Sequence, residues 1–150
     1  ERKSKSHGMT KKEHATISKE LCDQYLQNQV VRIDEKSPEL LKEFYTEQAL
    51  RMMYPKCIVE YERTALVYPI GNVRITFDRN IRGSSNIAEF YNEKISGISI
   101  LKPNHQILEI KYDELLPSFI VSALNIDCLK LQSFSKYYYA REALTSGGKS

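Results

Sequence analysis

Two stretches of the chain alternate apolar and polar side chains with period two, and in each the polar set carries both signs of charge. In Val73-Arg74-Ile75-Thr76-Phe77-Asp78 the apolar residues fall on one face of an extended strand, while Arg74, Thr76 and Asp78 share the other. Leu108-Glu109-Ile110-Lys111-Tyr112-Asp113 repeats the arrangement. Such a sheet is either solvated on its charged face or lines a wet cavity where an anion and a metal meet.

The same reading places elements along the rest of the chain. Glu1 to Lys12 is basic, with Lys3, Lys5, Lys11 and Lys12 around Gly8, and reads as a strand entering a flexible turn. Ile17, Leu21 and Tyr25 recur at helical spacing, which predicts a helix over 16–28. Ser37-Pro38-Glu39 supplies a cap, a first-turn proline and a first-turn acid for a second helix with Leu40, Leu41, Phe44 and Leu50 on its apolar side. Both helices are expected outside a sheet. Residues 57–68, rich in Val, Ile, Tyr and Thr, predict a long strand that Pro69-Ile70-Gly71-Asn72 turns into an antiparallel partner over 73–81. Residues 83–97 read as loop with one helical turn at 87–91. Strands are expected at 98–101 and 105–112, a short helix at 117–124, a last strand at 129–134, and a flexible tail at the end.

At 150 residues, 41% hydrophobic and 27% charged, the chain has the makeup of one globular domain with a real core. A net charge of +3 gives no general drive toward nucleic acid, so polyanion binding has to come from local clusters of Lys and Arg. Cys22, Cys57 and Cys128 are odd in number, far apart and outside any C-x-x-C spacing; this argues against a disulfide framework or a zinc site and suits a reducing cytoplasm. The longest apolar stretch, near Phe119 to Leu124, is far shorter than the roughly 20 residues of a membrane span. No signal-peptide pattern opens the chain. It opens on Glu1 rather than Met, so a fragment of a longer protein is expected.

Common catalytic templates are missing. The terminal Gly-Gly-Lys-Ser mimics the end of a phosphate-binding loop but has no helix after it to present its amides. His7, His14 and His105 lack ligand spacing and read as surface histidines. Arg63 is different. Period two groups it with Val59, Tyr61, Ala65 and Val67, a cation on a mostly apolar side, and a buried arginine needs an anion, structural or bound. Ser135-Lys136 before Tyr137-Tyr138-Tyr139 reads as a strand end with packing aromatics.

Five strings, Glu1-Arg2-Lys3, Tyr61-Glu62-Arg63-Thr64-Ala65, Val73 to Asp78, Leu108 to Asp113 and Ser133-Phe134-Ser135-Lys136-Tyr137, stand in an order that resembles one known domain. It is the polyphosphate polymerase (VTC) domain of the vacuolar transporter chaperone family, within the triphosphate tunnel metalloenzymes, and the match corresponds to the second half of that domain. The resemblance implies an α+β fold in which residues 1–142 form the carboxy-terminal half of a tunnel of eight antiparallel strands, with helices outside and a flexible tail over 143–150. It implies that Arg63, Arg74 and Lys136 act catalytically by holding phosphates, joined by Lys3, Lys12 and Ser135, and that Glu109 holds Mn²⁺ or Mg²⁺. Guanidinium forks match phosphate oxygens, and a hard carboxylate oxygen suits such a cation. The chain departs from the pattern at Lys12-Glu13-His14, where the family often has Lys-x-Arg, and at Ser133, where some members are basic.

The reaction so implied transfers the terminal phosphoryl group of a nucleoside triphosphate to a growing polyphosphate. The partners would be nucleoside triphosphate, polyphosphate and the amino-terminal half of the domain, with no nucleic acid. A triphosphatase, or a non-catalytic polyphosphate or inositol-phosphate module, is the alternative, and the chain alone is expected to be inactive.

Overall fold

The basic amino-terminal stretch folds back on itself: β1 (Arg2–Ser6) pairs antiparallel with β2 (Met9–Glu13), setting Arg2 opposite Glu13 and Lys3 opposite Lys12. The second strand was not expected from the sequence. The computed structural model describes residues 1–6, 9–29, 31, 33–125 and 129–146, in two compact units, Glu1–Lys56 and Cys57–Ser150. The expected turn at Gly8, with His7, lies outside the described residues, as does Cys128.

In the first unit α1 (Lys19–Leu26) starts later than its apolar spacing suggests because Ser18 is its N-cap; the Ser18 hydroxyl accepts from the Leu21 amide at 3.2 Å. Pro38 precedes α2 (Glu39–Arg51), which ends at Met52 in the left-handed region, φ 48°. Tyr25 and Phe44 join the two helices edge to face, and Tyr45 is buried beside them. Arg2 donates to both Glu13 and Glu43, tying the hairpin to α2.

The second unit is built on β3 (Ile58–Tyr68) and β4 (Val73–Ser84), joined by a short 3-10 turn in which Gly71 adopts φ 74°. There a side chain would be strained and would also meet the Leu115 carbonyl at 2.8 Å. β4 is central. β3 pairs along one edge, while β6 (Ile107–Lys111) and β5 (Ile98–Ser99) share the other, all antiparallel. The described residues form an α+β fold with open antiparallel sheets and no closed barrel.

A β-bulge interrupts the β3–β4 register between Glu60 and Glu62, with Asn80 of β4 at φ 52°. It reverses the phase of β4, so Ile81 and Gly83 fall on the face of Asp78. The short helix α3 (Ser118–Ala123) buries Ile120 and stacks Phe119 edge to face on Tyr68.

Two expectations are corrected at the carboxy end. Residues 129–134 are not a strand, and Ser135-Lys136 is not a strand end but the start of α4 (Lys136–Ser146). The tyrosine run favours strand, yet Ala140 to Leu144 favour helix, and the Ser135 hydroxyl accepts from the Tyr138 amide as an N-cap. Residues 143–146, expected in the tail, belong to this helix; 147–150 lie outside the described residues. Among the described residues no helix is long and apolar enough to cross a membrane.

Candidate functional site

Cross-strand register decides which charges share a face, because directly opposed residues project to the same side of a sheet. Asp78 stands between Arg63 of β3 and Ile107 of β6; Thr76 stands between Ala65 and Glu109; Arg74 stands between Val67 and Lys111. One side of the sheet therefore carries Arg63, Arg74, Asp78, Glu109 and Lys111. The period-two reading of both charged strands holds.

Asp78 is the centre of this face and is only 1% exposed. Its two oxygens accept from Arg63, Nε to Oδ1 at 2.6 Å and Nη2 to Oδ2 at 2.7 Å, and Lys136 Nζ stands 2.6 Å from Oδ2. The Arg63 bonds, with help from Lys136, overcome the cost of burial and hold the Asp78 carboxyl at a pKa of about 2; the same carboxylate raises that of Arg63. The sequence left open whether the anion facing Arg63 is structural or bound, and the fold supplies one from within. Tyr61 lies under both cations, its ring centre 5.2 Å from Arg63 Cζ and 4.8 Å from Lys136 Nζ.

Helix α4 reaches this face because the bulge turns Gly83 toward it. Ala140, fully buried, packs on Gly83, while Lys136 in the first turn meets Asp78. The helix thus brings in a cation that no strand carries.

Glu109 keeps 43% of its side chain exposed and is paired through Oε1 with Lys111 at 2.9 Å. That bond, opposed by partial burial and assisted by Arg63 and Lys136, lowers its pKa, so it is a carboxylate at neutral pH. Between it and Ala65 the Thr76 hydroxyl is buried with no partner among the described residues. Among the described residues no group of three or more His, Cys, Asp and Glu is placed to hold a metal.

A family model described as the VTC domain matches residues 1–145. The chain belongs to the VTC domain family. No curated protein and no solved structure gives a match. Membership links this VTC domain to polyphosphate metabolism.

Of the site residues the VTC resemblance singles out, Arg63 and Lys136 converge on one carboxylate, and Arg74 and Glu109 share their sheet face. Arg74 is exposed. Ser135 uses its hydroxyl oxygen to cap α4, which fixes where Lys136 begins. Lys3 and Lys12 face each other in the amino-terminal unit, where Lys3 pairs with Glu1 at 3.3 Å. The sequence placed Asp78 and Thr76 on the face that could line a site but gave neither a role there. The signal for Asp78 was present: an arginine grouped with apolar neighbours on one strand and a lone carboxylate on the next.

Proposed function

We propose that this VTC chain contributes the carboxy-terminal wall of a polyphosphate polymerase tunnel, in which a nucleoside triphosphate gives its terminal phosphoryl group to a growing polyphosphate. One observation carries the reading. Four cations, Arg63, Arg74, Lys111 and Lys136, gather on one face against two carboxylates, Asp78 and Glu109, and Arg74 stands directly opposite the like-charged Lys111, a cationic surplus that an anion would relieve. A chain of phosphates is an anion of the right charge density.

Phosphoryl transfer asks the protein mainly to position the reactants and meet negative charge spread over oxygens. Arg74 is exposed and free to take phosphate oxygens, while Arg63 and Lys136 keep N–H groups beyond those given to Asp78. A divalent cation fits the donor set. Glu109 is ionised, is a hard oxygen ligand and keeps Oε2 clear of Lys111, and Mg²⁺-type ions take one or two carboxylates with phosphates and water for the rest. Such an ion would supply positive charge that offsets the charge of the phosphates. Glu109 would hold it.

The second reading, a polyphosphate-binding module without turnover, is favoured by the commitment of Glu109 Oε1 to Lys111 and of both Asp78 oxygens to cations. Calorimetric titration of the chain with tripolyphosphate, with and without Mn²⁺, tests the anion site common to both. Binding in the micromolar range that Arg74→Gln weakens at least about tenfold supports it. No difference between wild type and R74Q rejects it. Mn²⁺-dependent elongation in a domain that includes further tunnel strands separates polymerase from binding module.

A further inference from the structure

We infer that Asp78 is a positioning residue of the phosphate site: it stays bonded to Arg63 and Lys136 while phosphate binds, and it aims their remaining N–H groups at the ligand. This rests on the phosphate-site reading above. A buried carboxylate beside two phosphate-binding cations has two possible roles with opposite signs. As a stand-in anion it would be displaced by phosphate, and its removal would tighten binding. As a positioning group it would remain, and its removal would loosen binding even though the site gains positive charge.

The geometry favours the second role. Asp78 takes Nε and Nη2 of Arg63, one edge of the guanidinium, and leaves Nη1 without a partner among the described residues. A fork bonded along one edge cannot rotate about its last torsion, so the orientation of the remaining edge is fixed. The same carboxylate draws Lys136 to 2.6 Å across from α4, a separate element whose approach is set by Ala140 on Gly83. Asp78 is itself 1% exposed, so a dissolved phosphate does not compete for its place without opening the packing. Without Asp78, two flexible side chains would have to be ordered by the ligand, and that ordering would count against affinity.

Titration of the 150-residue chain with tripolyphosphate at fixed salt tests this with wild type, Asp78→Asn, Lys136→Gln, the D78N/K136Q double variant and Arg74→Gln. D78N should weaken binding about tenfold despite its added positive charge, and in the K136Q background the further loss should shrink to about threefold, because part of what Asp78 orients is already gone. Circular dichroism confirms that each variant is folded. Should D78N not fold, wild type alone decides through the Arg63 Nε–H resonance, which should remain protected from exchange at saturating tripolyphosphate. Equal or tighter binding by D78N, or loss of that protection on adding ligand, would overturn the positioning role. R74Q separates the two readings: a loss with R74Q but none with D78N sinks the Asp78 inference alone, whereas wild type that does not bind, or R74Q that binds like wild type, sinks the phosphate site and this role with it.

Discussion

Ala140 of α4 rests on Gly83 of β4 so closely that a methyl group on Gly83 would stand 3.2 Å from the Ala140 methyl. The glycine is what lets a helix lie on the charged face, and the helix brings Lys136 to Asp78. Gly83→Val would add two further methyls where α4 and Ile100 already lie against the strand. We expect it to destabilise the chain by about 2 kcal/mol, the usual scale of overpacking, read as a lower urea midpoint at unchanged slope. An unchanged midpoint would mean that α4 is not seated as described.

The Asp78 cluster predicts an acid limb of stability with a definite sign. A carboxyl whose pKa is about 2 in the folded chain, against an ordinary 3.8, contributes stability that is complete above the unfolded value and disappears as pH falls through the folded one. The amount is about 2 kcal/mol. Wild type should exceed Asp78→Asn in unfolding free energy at pH 6, and the gap should narrow between about pH 4 and pH 2. A gap that stays constant across that window would show that Asp78 carries no depressed pKa.

Much of this was legible in the sequence, and the gaps have physical causes. Strands β3, β4 and β6 follow from period-two patterning with β-branched and aromatic residues, and the turn at Gly71 from its composition. The contact of Arg63 with Asp78 was not legible, since it depends on the residue count of that turn and on register. The bulge at Asn80 is equally silent in the pattern, and it decides that Gly83 rather than Arg82 faces α4. Helix α4 was hidden by Tyr137-Tyr138-Tyr139, whose strand preference yields to the Ser135 cap and to burial of Ala140. Lys3 and Lys12 belong to the other compact unit, Glu1–Lys56, which the sequence pattern does not mark off.

Thr76 offers a test of how wet the charged face is. Its hydroxyl is buried, the residue is 3% exposed, and among the described residues no group accepts from or donates to it. Burying an unpartnered hydroxyl costs about 1–3 kcal/mol, so Thr76→Val should raise stability by about 1 kcal/mol in urea unfolding. A loss of stability instead would mean that the hydroxyl is satisfied by an internal water.

Glu109→Gln removes charge and keeps shape. With its side chain 43% exposed and its partner Lys111 64% exposed, the ion pair is worth little to the fold, and stability should change by less than about 0.5 kcal/mol. Under the polymerase reading, the same change should remove the increase in tripolyphosphate affinity that Mn²⁺ provides while leaving metal-free binding intact or slightly stronger. If Mn²⁺ still strengthens binding to the Gln variant as it does for wild type, Glu109 is not the ligand.

The chain by itself should bind polyphosphate and make none. Its sheet is open, with the outer edges of β3 and β6 unpaired among the described residues, and Val67 and Arg74 on the charged face are exposed to water. In that setting the exposed cations are screened, and a triphosphate loses the enclosed, fixed charges on which transfer depends. The affinity that remains should fall steeply with salt, because exposed charges lose most of their attraction beyond a Debye length of about 8 Å at physiological ionic strength. Incubation of the purified chain with ATP and Mn²⁺, followed by electrophoresis for polyphosphate, reads the outcome directly. Sustained synthesis would contradict the open-wall account and point instead to two copies that close a tunnel between them, a possibility that sedimentation at the assay concentration would then resolve.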